Sequence, residues 1–85
     1  MQIHIAAGHL RVTHDCPPGL TVGDVLVRCA AGRPDLRAGW VDAGGGLRES
    51  LQVFVNGESV RYRDGLATPL SDGDQVHVIP LITGG

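Results

Sequence analysis

The residues with the clearest chemistry are the last three, Thr83, Gly84 and Gly85, which follow the apolar run "VIPLI" without a break. An α-carboxyl group has a reference pKa near ~3.5, so Gly85 ends in an anion at neutral pH. A carboxylate is a poor electrophile, because attack adds charge to a group already charged. It reacts only after one oxygen has been turned into a leaving group. Gly84 and Gly85 carry no Cβ and take either sign of φ, so their backbone can approach the catalytic groups of another protein closely. Extended, Ile82 to Gly85 reach roughly 13 Å at about 3.3 Å per residue. No charged side chain follows Asp74, so nothing near the carboxylate repels an approaching anion.

Other reactive side chains fit plainer roles. His4 and His14 fall on adjacent strands of a predicted hairpin, with His9 in its turn, but a zinc site needs a third converging ligand. They read as surface histidines on polar strand faces, and His77 as a solvated position on the last strand. Asp72 and Asp74 in "SDGD" read as turn chemistry around Gly73 rather than as a carboxylate pair. "AGGG" (Ala43 to Gly46) follows no strand and does not fit a phosphate-cradling loop. Ser50, Ser59 and Ser71 have no His/Asp setting that would make a triad. Cys16 and Cys29 are too few for an iron–sulfur cluster and read as reduced, structural thiols, with a disulfide left open. The chain therefore shows no catalytic apparatus of its own and no metal site.

Elements must hold that end in place. At 85 residues the chain is one domain with one modest core. All seven basic residues are arginines, and the formal charge of −2, with few aromatics, argues against nucleic acid. No apolar run reaches the roughly 18 residues of a membrane helix, and "MQIHIAAGHL" lacks the basic start of a signal peptide, which points to the cytoplasm.

"QIHIA" and "LRVTHD" alternate in period two and form a hairpin through "AGH". Thr21 is a good N-cap, Asp24 suits the first turn, and Val22, Val25, Leu26 and Cys29 recur at helical spacing. That predicts a helix from about Val22 to Ala31, with Gly32 as its C′ residue. Arg33 to Glu49 reads as a long loop with a helical turn near "PDLRAGW". "LQVFV" and the return strand "ESVRY" form a hairpin around Asn56-Gly57. A final strand runs from about Gln75 to Leu81. The order β-β-α-β-β-β gives an α+β fold, a mixed sheet with one main helix packed on one face, and the first and last strands, the most apolar, are expected to be central. The expected division is a folded part over residues 1–81 and a flexible tail over 82–85.

The stretch "VFVNGESVRYRDGLATPLSDGDQVHVIPLITGG" resembles the C-terminal half of the ThiS/MoaD family of sulfur carrier proteins. The "VNGE" turn, "L-S-D-G-D-x-V", the proline in the last strand and the terminal Gly-Gly occur in order. The first half agrees in element order and helix position only. "VRYRDGLATPLSDGD" looks nearest to the cysteine-biosynthetic carriers, with the molybdopterin-synthase small subunit also close. Thr83 stands where that family commonly has Ala or Val, a mild departure.

The resemblance implies a ubiquitin-like β-grasp fold and a protein that is a cosubstrate rather than an enzyme, or the small subunit of a sulfur-transferring complex. An E1-like adenylating enzyme would use ATP to activate Gly85, and a sulfur donor would then leave a thiocarboxylate there for a biosynthetic enzyme. ATP would belong to that partner, with no cofactor held permanently. Thr83 and Gly84 would thread into the partner, and Phe54, Ile79, Leu81, Ile82, Arg61 and Arg63 are candidate docking residues. Two alternatives stay open: a ubiquitin-like modifier conjugated through Gly85, and a β-grasp interaction module that is never activated.

Overall fold

The computed structural model describes residues 1–80. The strands β1 (Gln2–Ala7) and β2 (Leu10–Asp15) form the expected hairpin, with Ala7 opposite Leu10. Gly8 sits at φ 60 in its two-residue loop, a conformation the absent Cβ makes cheap and which matches the twist of the strands. Helix α1 (Val22–Ala31) has the expected bounds, and Thr21 caps it reciprocally with Asp24. The Thr21 hydroxyl accepts from Asp24 N–H at 3.3 Å, and Asp24 Oδ2 accepts from Thr21 N–H at 3.1 Å. The Thr21 N–H first, and the Thr21 hydroxyl after it, hold the Asp24 carboxyl below its usual value of 3.8.

Three expectations need correction. Gly32 does follow α1 but at φ −97, so it is not a left-handed cap. The helix stops because Arg33 precedes Pro34 and is pushed into the extended region, at φ −138 and ψ 97. The helical turn at "PDLRAGW" is a second helix, α2 (Pro34–Trp40), with proline in its first turn. Leu36 and Trp40, four residues apart, both go into the core. The return strand "ESVRY" is much shorter than its letters suggest: β3 (Leu51–Val55) pairs with β4 over Glu58–Ser59 alone. Ser59 Oγ accepts from Arg61 N–H at 3.3 Å, turning the chain into a 3-10 turn over Val60–Tyr62.

The last strand, β5 (Gln75–Pro80), runs parallel to β1 and antiparallel to β3, giving the sheet order β2-β1-β5-β3-β4. As expected, β5 and β1 lie inside the sheet. Ile3 and Ile5 of β1, Val53 and Val55 of β3, and Val76 and Val78 of β5 are buried with Val22, Val25 and Leu26 of α1. This is a ubiquitin-like β-grasp, an α+β fold with a mixed sheet and its helices on one side. Burial of this kind stabilises by roughly 2 kcal/mol per large aliphatic side chain. Truncating Leu26 to Ala would cost about 2–5 kcal/mol through the cavity left behind. The proposed division between residues 81 and 82 lies outside the described residues. No helix is long and apolar enough to cross a membrane among the described residues.

Candidate functional site

Two rows of side chains leave β5. Val76 and Val78 enter the core, whereas Gln75, His77 and Ile79 are exposed on the opposite face. The register fills that face in. Ala6 and Phe54 lie opposite His77 on either side, Gln52 opposite Ile79, and His4 opposite Gln75. Beyond β1, Arg11 pairs with Ala6 and Thr13 with His4. The exposure of His4, Arg11, Thr13, Gln75, His77 and Ile79 leaves this face of the sheet uncovered among the described residues.

Of the candidate docking residues, Ile79 is 40% exposed on this face and Phe54 is half-buried beside His77. Arg61 and Arg63 do not extend an edge strand, because the strand ends at Ser59. Arg61 lies on the 3-10 turn and Arg63 just beyond it, where its Nε is 3.8 Å from Glu58 Oε1 in an exposed pair of little energetic weight. The same turn holds out Tyr62 at 84% exposure while Val60 is buried, a split that a strand reading cannot give, since both would share a face. Tyr62 was missed for that reason, although an aromatic between two arginines is a composition enriched at interfaces. Leu81, Ile82, Thr83, Gly84 and Gly85 lie outside the described residues.

The histidines do not converge. His4 is opposite Thr13 on the uncovered face, with Nδ1 3.1 Å from Thr13 Oγ1. His14 is opposite Ile3 and so faces the core side, half-buried, with Nε2 buried and unpartnered among the described residues. The expectation of a polar surface position fails for His14. No cluster of metal-ligating side chains forms among the described residues. Cys16 and Cys29 are free and buried. Burial pushes the Cys29 thiol up from its ordinary value, which keeps it protonated and poorly nucleophilic.

Asp72 and Asp74 do turn work, as their setting predicts, but they do more than close "SDGD". Asp74 Oδ2 accepts from Ser71 N–H at 2.8 Å, and its Oδ1 accepts from Asn56 Nδ2 at 3.0 Å. Asn56 Oδ1 in turn accepts from Gln75 N–H at 3.0 Å, and Asp72 Oδ1 from Gln2 N–H at 2.6 Å. The Asn-Gly turn and the "SDGD" turn are thus clasped together at the start of β5. The two motif turns lie far apart in the chain, so periodicity gave no sign of this contact.

This fold and layout recur in known proteins. The chain is 43% identical to small archaeal modifier protein 3 of Haloferax volcanii, over 76% of this chain and 70% of that one. It is 44% identical to the sulfur carrier protein CysO of Mycobacterium tuberculosis over 48% of this chain, and spans less than half, 44%, of that protein. The crystal structure of the modifier SAMP1 from Haloferax volcanii superposes with a TM-score of 0.83 over 100% of both chains at 24% identity, a likeness of fold. Solved neighbours also include protein–protein complexes. By name, the two sequence relatives are a modifier and a sulfur carrier. The ThiS family model matches residues 3–85, and the chain belongs to that family of small sulfur carriers and ubiquitin-like modifiers.

Proposed function

We propose that this protein carries sulfur as a thiocarboxylate on Gly85. The observation that supports the reading is a Thr83-Gly84-Gly85 end following the central strand β5 in a chain whose relatives include sulfur carriers. The carboxylate attacks the α-phosphorus of ATP in an E1-like partner, pyrophosphate leaves, and the acyl-adenylate so formed is an uncharged acyl centre. A sulfide nucleophile adds to that carbon and AMP leaves with the electron pair of the broken C–O bond. A persulfide donor gives an acyl disulfide instead, whose S–S bond a thiol of the partner cleaves, leaving the thiocarboxylate and a disulfide. The thiocarboxylate is then delivered to a biosynthetic enzyme in the cytoplasm. Cysteine synthesis, or a carrier shared by several acceptors, is the favoured destination, given the CysO relative; molybdopterin, thiazole and other sulfur-containing products use the same chemistry.

The uncovered sheet face, with Phe54 and Ile79, serves as the docking side, and Arg61 and Arg63 flank it. Leu81, Ile82, Thr83 and Gly84 lead the end into the partner's active site. Intact mass after incubation with ATP, an E1-like enzyme and a sulfur donor tests this directly. The expected product gains the difference between one sulfur and one oxygen. An unchanged mass with an enzyme that charges a related carrier would end the proposal.

The modifier relative supports a second reading, in which Gly85 is joined to amines of other proteins. The chain has no lysine, so it cannot build chains on its own side chains. Adducts that appear on target proteins in a lysate and vanish when Gly85 is removed would favour this outcome.

A further inference from the structure

The uncovered face is not uniform. Where β2, β1 and β5 run side by side it sinks into a shallow groove of about 400 Å3, bordered by His4, Ala6, Arg11, Thr13, Gln75 and His77. The hollow has a simple cause. Ala6 stands between Arg11 and His77 in one row across the sheet, and its methyl group cannot fill the gap between them. Two inter-strand spacings put the flanking Cα atoms roughly 10 Å apart, wide enough for a planar carboxylate with a hydrogen bond on either side. The next row, Thr13–His4–Gln75, closes one end with further donors.

The chemistry of the border is one-sided. No Asp or Glu lines the groove, although the chain as a whole has more acidic than basic residues. Acids lie beyond the closed end: Asp15 one row further on, opposite Gln2, Asp72 on the Gln2 N–H, and Asp74 directly before Gln75. The Arg11 guanidinium is already placed, because Nη1 donates to the carbonyls of Gly8 and Leu10 at 2.9 Å each. That leaves its outer edge for an acceptor and reduces the side-chain entropy lost on binding. His4 is likewise held by Thr13 at 3.1 Å. Along the first row the groove is continuous with Phe54, directly opposite His77, and the exposed Ile79 follows on the same side of β5. A free small anion would gain nothing from those apolar neighbours. A protein segment would use both.

We infer that the hollow over Ala6 is a socket for an aspartate or glutamate side chain of the partner protein, whose neighbouring apolar residue covers Phe54 and Ile79. The inference rests on the proposed use of this face in docking, and it adds the chemistry by which the partner is recognised. Arg11 gives the carboxylate a charge-assisted hydrogen bond, His77 and His4 give further N–H donors, and Ala6 keeps the seat open.

Two measurements decide it. In the first, carrier charging at Gly85 is followed with the activating enzyme while carrier concentration is varied. Ala6→Leu, which fills the seat, and Arg11→Gln, an exposed substitution that leaves the core intact, should each raise KM for the carrier about tenfold with kcat within about twofold of the parent. An unchanged KM in both, with charging intact, overturns the socket and leaves sulfur carriage standing. In the second, amide NMR spectra of the carrier alone are recorded with the blocked tripeptide Leu-Glu-Leu, with Leu-Lys-Leu and with inorganic phosphate. The glutamyl peptide should shift amides around Ala6, Arg11 and His77 in the parent and not in Ala6→Leu. Equal shifts from the lysyl peptide, or from phosphate in place of the glutamyl one, reject the assignment, as does silence from all three. If no enzyme charges the parent chain, the carrier reading fails and the peptide titration alone settles the socket.

Discussion

The two ends of β5 do opposite work. At Gln75 the strand is held on every side. Gln75 N–H donates to Asn56 Oδ1 and its carbonyl accepts from Asn56 N–H, while Asp74 O accepts from His4 N–H at 3.0 Å and Gly73 N–H donates to Gln2 O at 2.8 Å. About 17 Å further along, by the rise of a strand, β5 ends at Pro80 opposite Leu51, and proline has no N–H to add to the ladder. Of the residues that carry the family resemblance, Asn56-Gly57 and Ser71 to Asp74 lie at the clasped end, whereas Pro80 and the terminal Gly-Gly belong to the other. The residues that would carry sulfur follow the other. The recognisable letters therefore divide: the two turns hold the chain together, and only the terminal Gly-Gly is both recognisable and reactive.

Removing Gly84 and Gly85 breaks the comparison most sharply. Charging by ATP and an E1-like enzyme should fall to background, while the thermal midpoint stays within about 1 °C of the parent, since no described contact of the core is touched. A truncated chain that is still charged, or that melts well below the parent, would show that the two ends are not separable in this way.

Asp74→Ala is the converse experiment. It removes the acceptor for Asn56 Nδ2 and Ser71 N–H at a half-exposed site, so a loss of about 1–2 kcal/mol is expected, with a midpoint lower by roughly 5–15 °C. Charging at 25 °C should persist, because the folded fraction remains dominant. Gly57→Ala probes the same end through the backbone alone. Gly57 sits at φ 87 with open space around it, so the cost of about 1 kcal/mol would come from the left-handed conformation and not from a clash. Urea titration of each variant measures both losses. A substitution here that abolished charging without unfolding the chain would mean that the clasp also touches the partner.

How much of this was legible follows the same division. Local signals carried far: the Thr21 cap with Asp24 and the valine spacing fixed α1 to the residue, and Asn56-Gly57 located the hairpin turn, with φ 52 and 87. β5 and β1 were recognisable as inner strands from their apolar runs. What failed depended on competition between neighbours. Ser59 takes Arg61 N–H away from a ladder, so "ESVRY" yields a short strand and an exposed Tyr62 instead of a long edge. Pro34 both ends α1 through Arg33 and opens α2, a double role that the surrounding glycines obscured. The socket over Ala6 was illegible because it arises from register: β5, distant in sequence, must align beside the β1–β2 hairpin before a small residue becomes a hollow.

The smallest effect sharpens the clasped end by pH. Thr21 and Leu20 at the start of α1 belong to that end, since Val22 N–H donates to Thr68 O at 2.9 Å and Leu70 N–H to Leu20 O at 3.2 Å. Asp24, which caps this corner, has a folded-state pKa below its unfolded value of 3.8, held down by the Thr21 N–H and hydroxyl. A depressed carboxylate contributes stability above the unfolded pKa and loses it as pH falls through the folded one. Asp24→Asn should therefore lower the midpoint slightly at pH 7, and the gap between variant and parent should close under acid, below the folded pKa. Thr21→Ala removes the hydroxyl acceptor and should cost about 1 kcal/mol at neutral pH. Hydrogen exchange gives the location: both variants should loosen amides of α1 and of Thr68 to Leu70 first, with Val53 and Val78 protected as in the parent. Equal loosening along all of β5 would show that the strand responds as one unit, and the contrast between its ends would then describe chemistry alone and not stability.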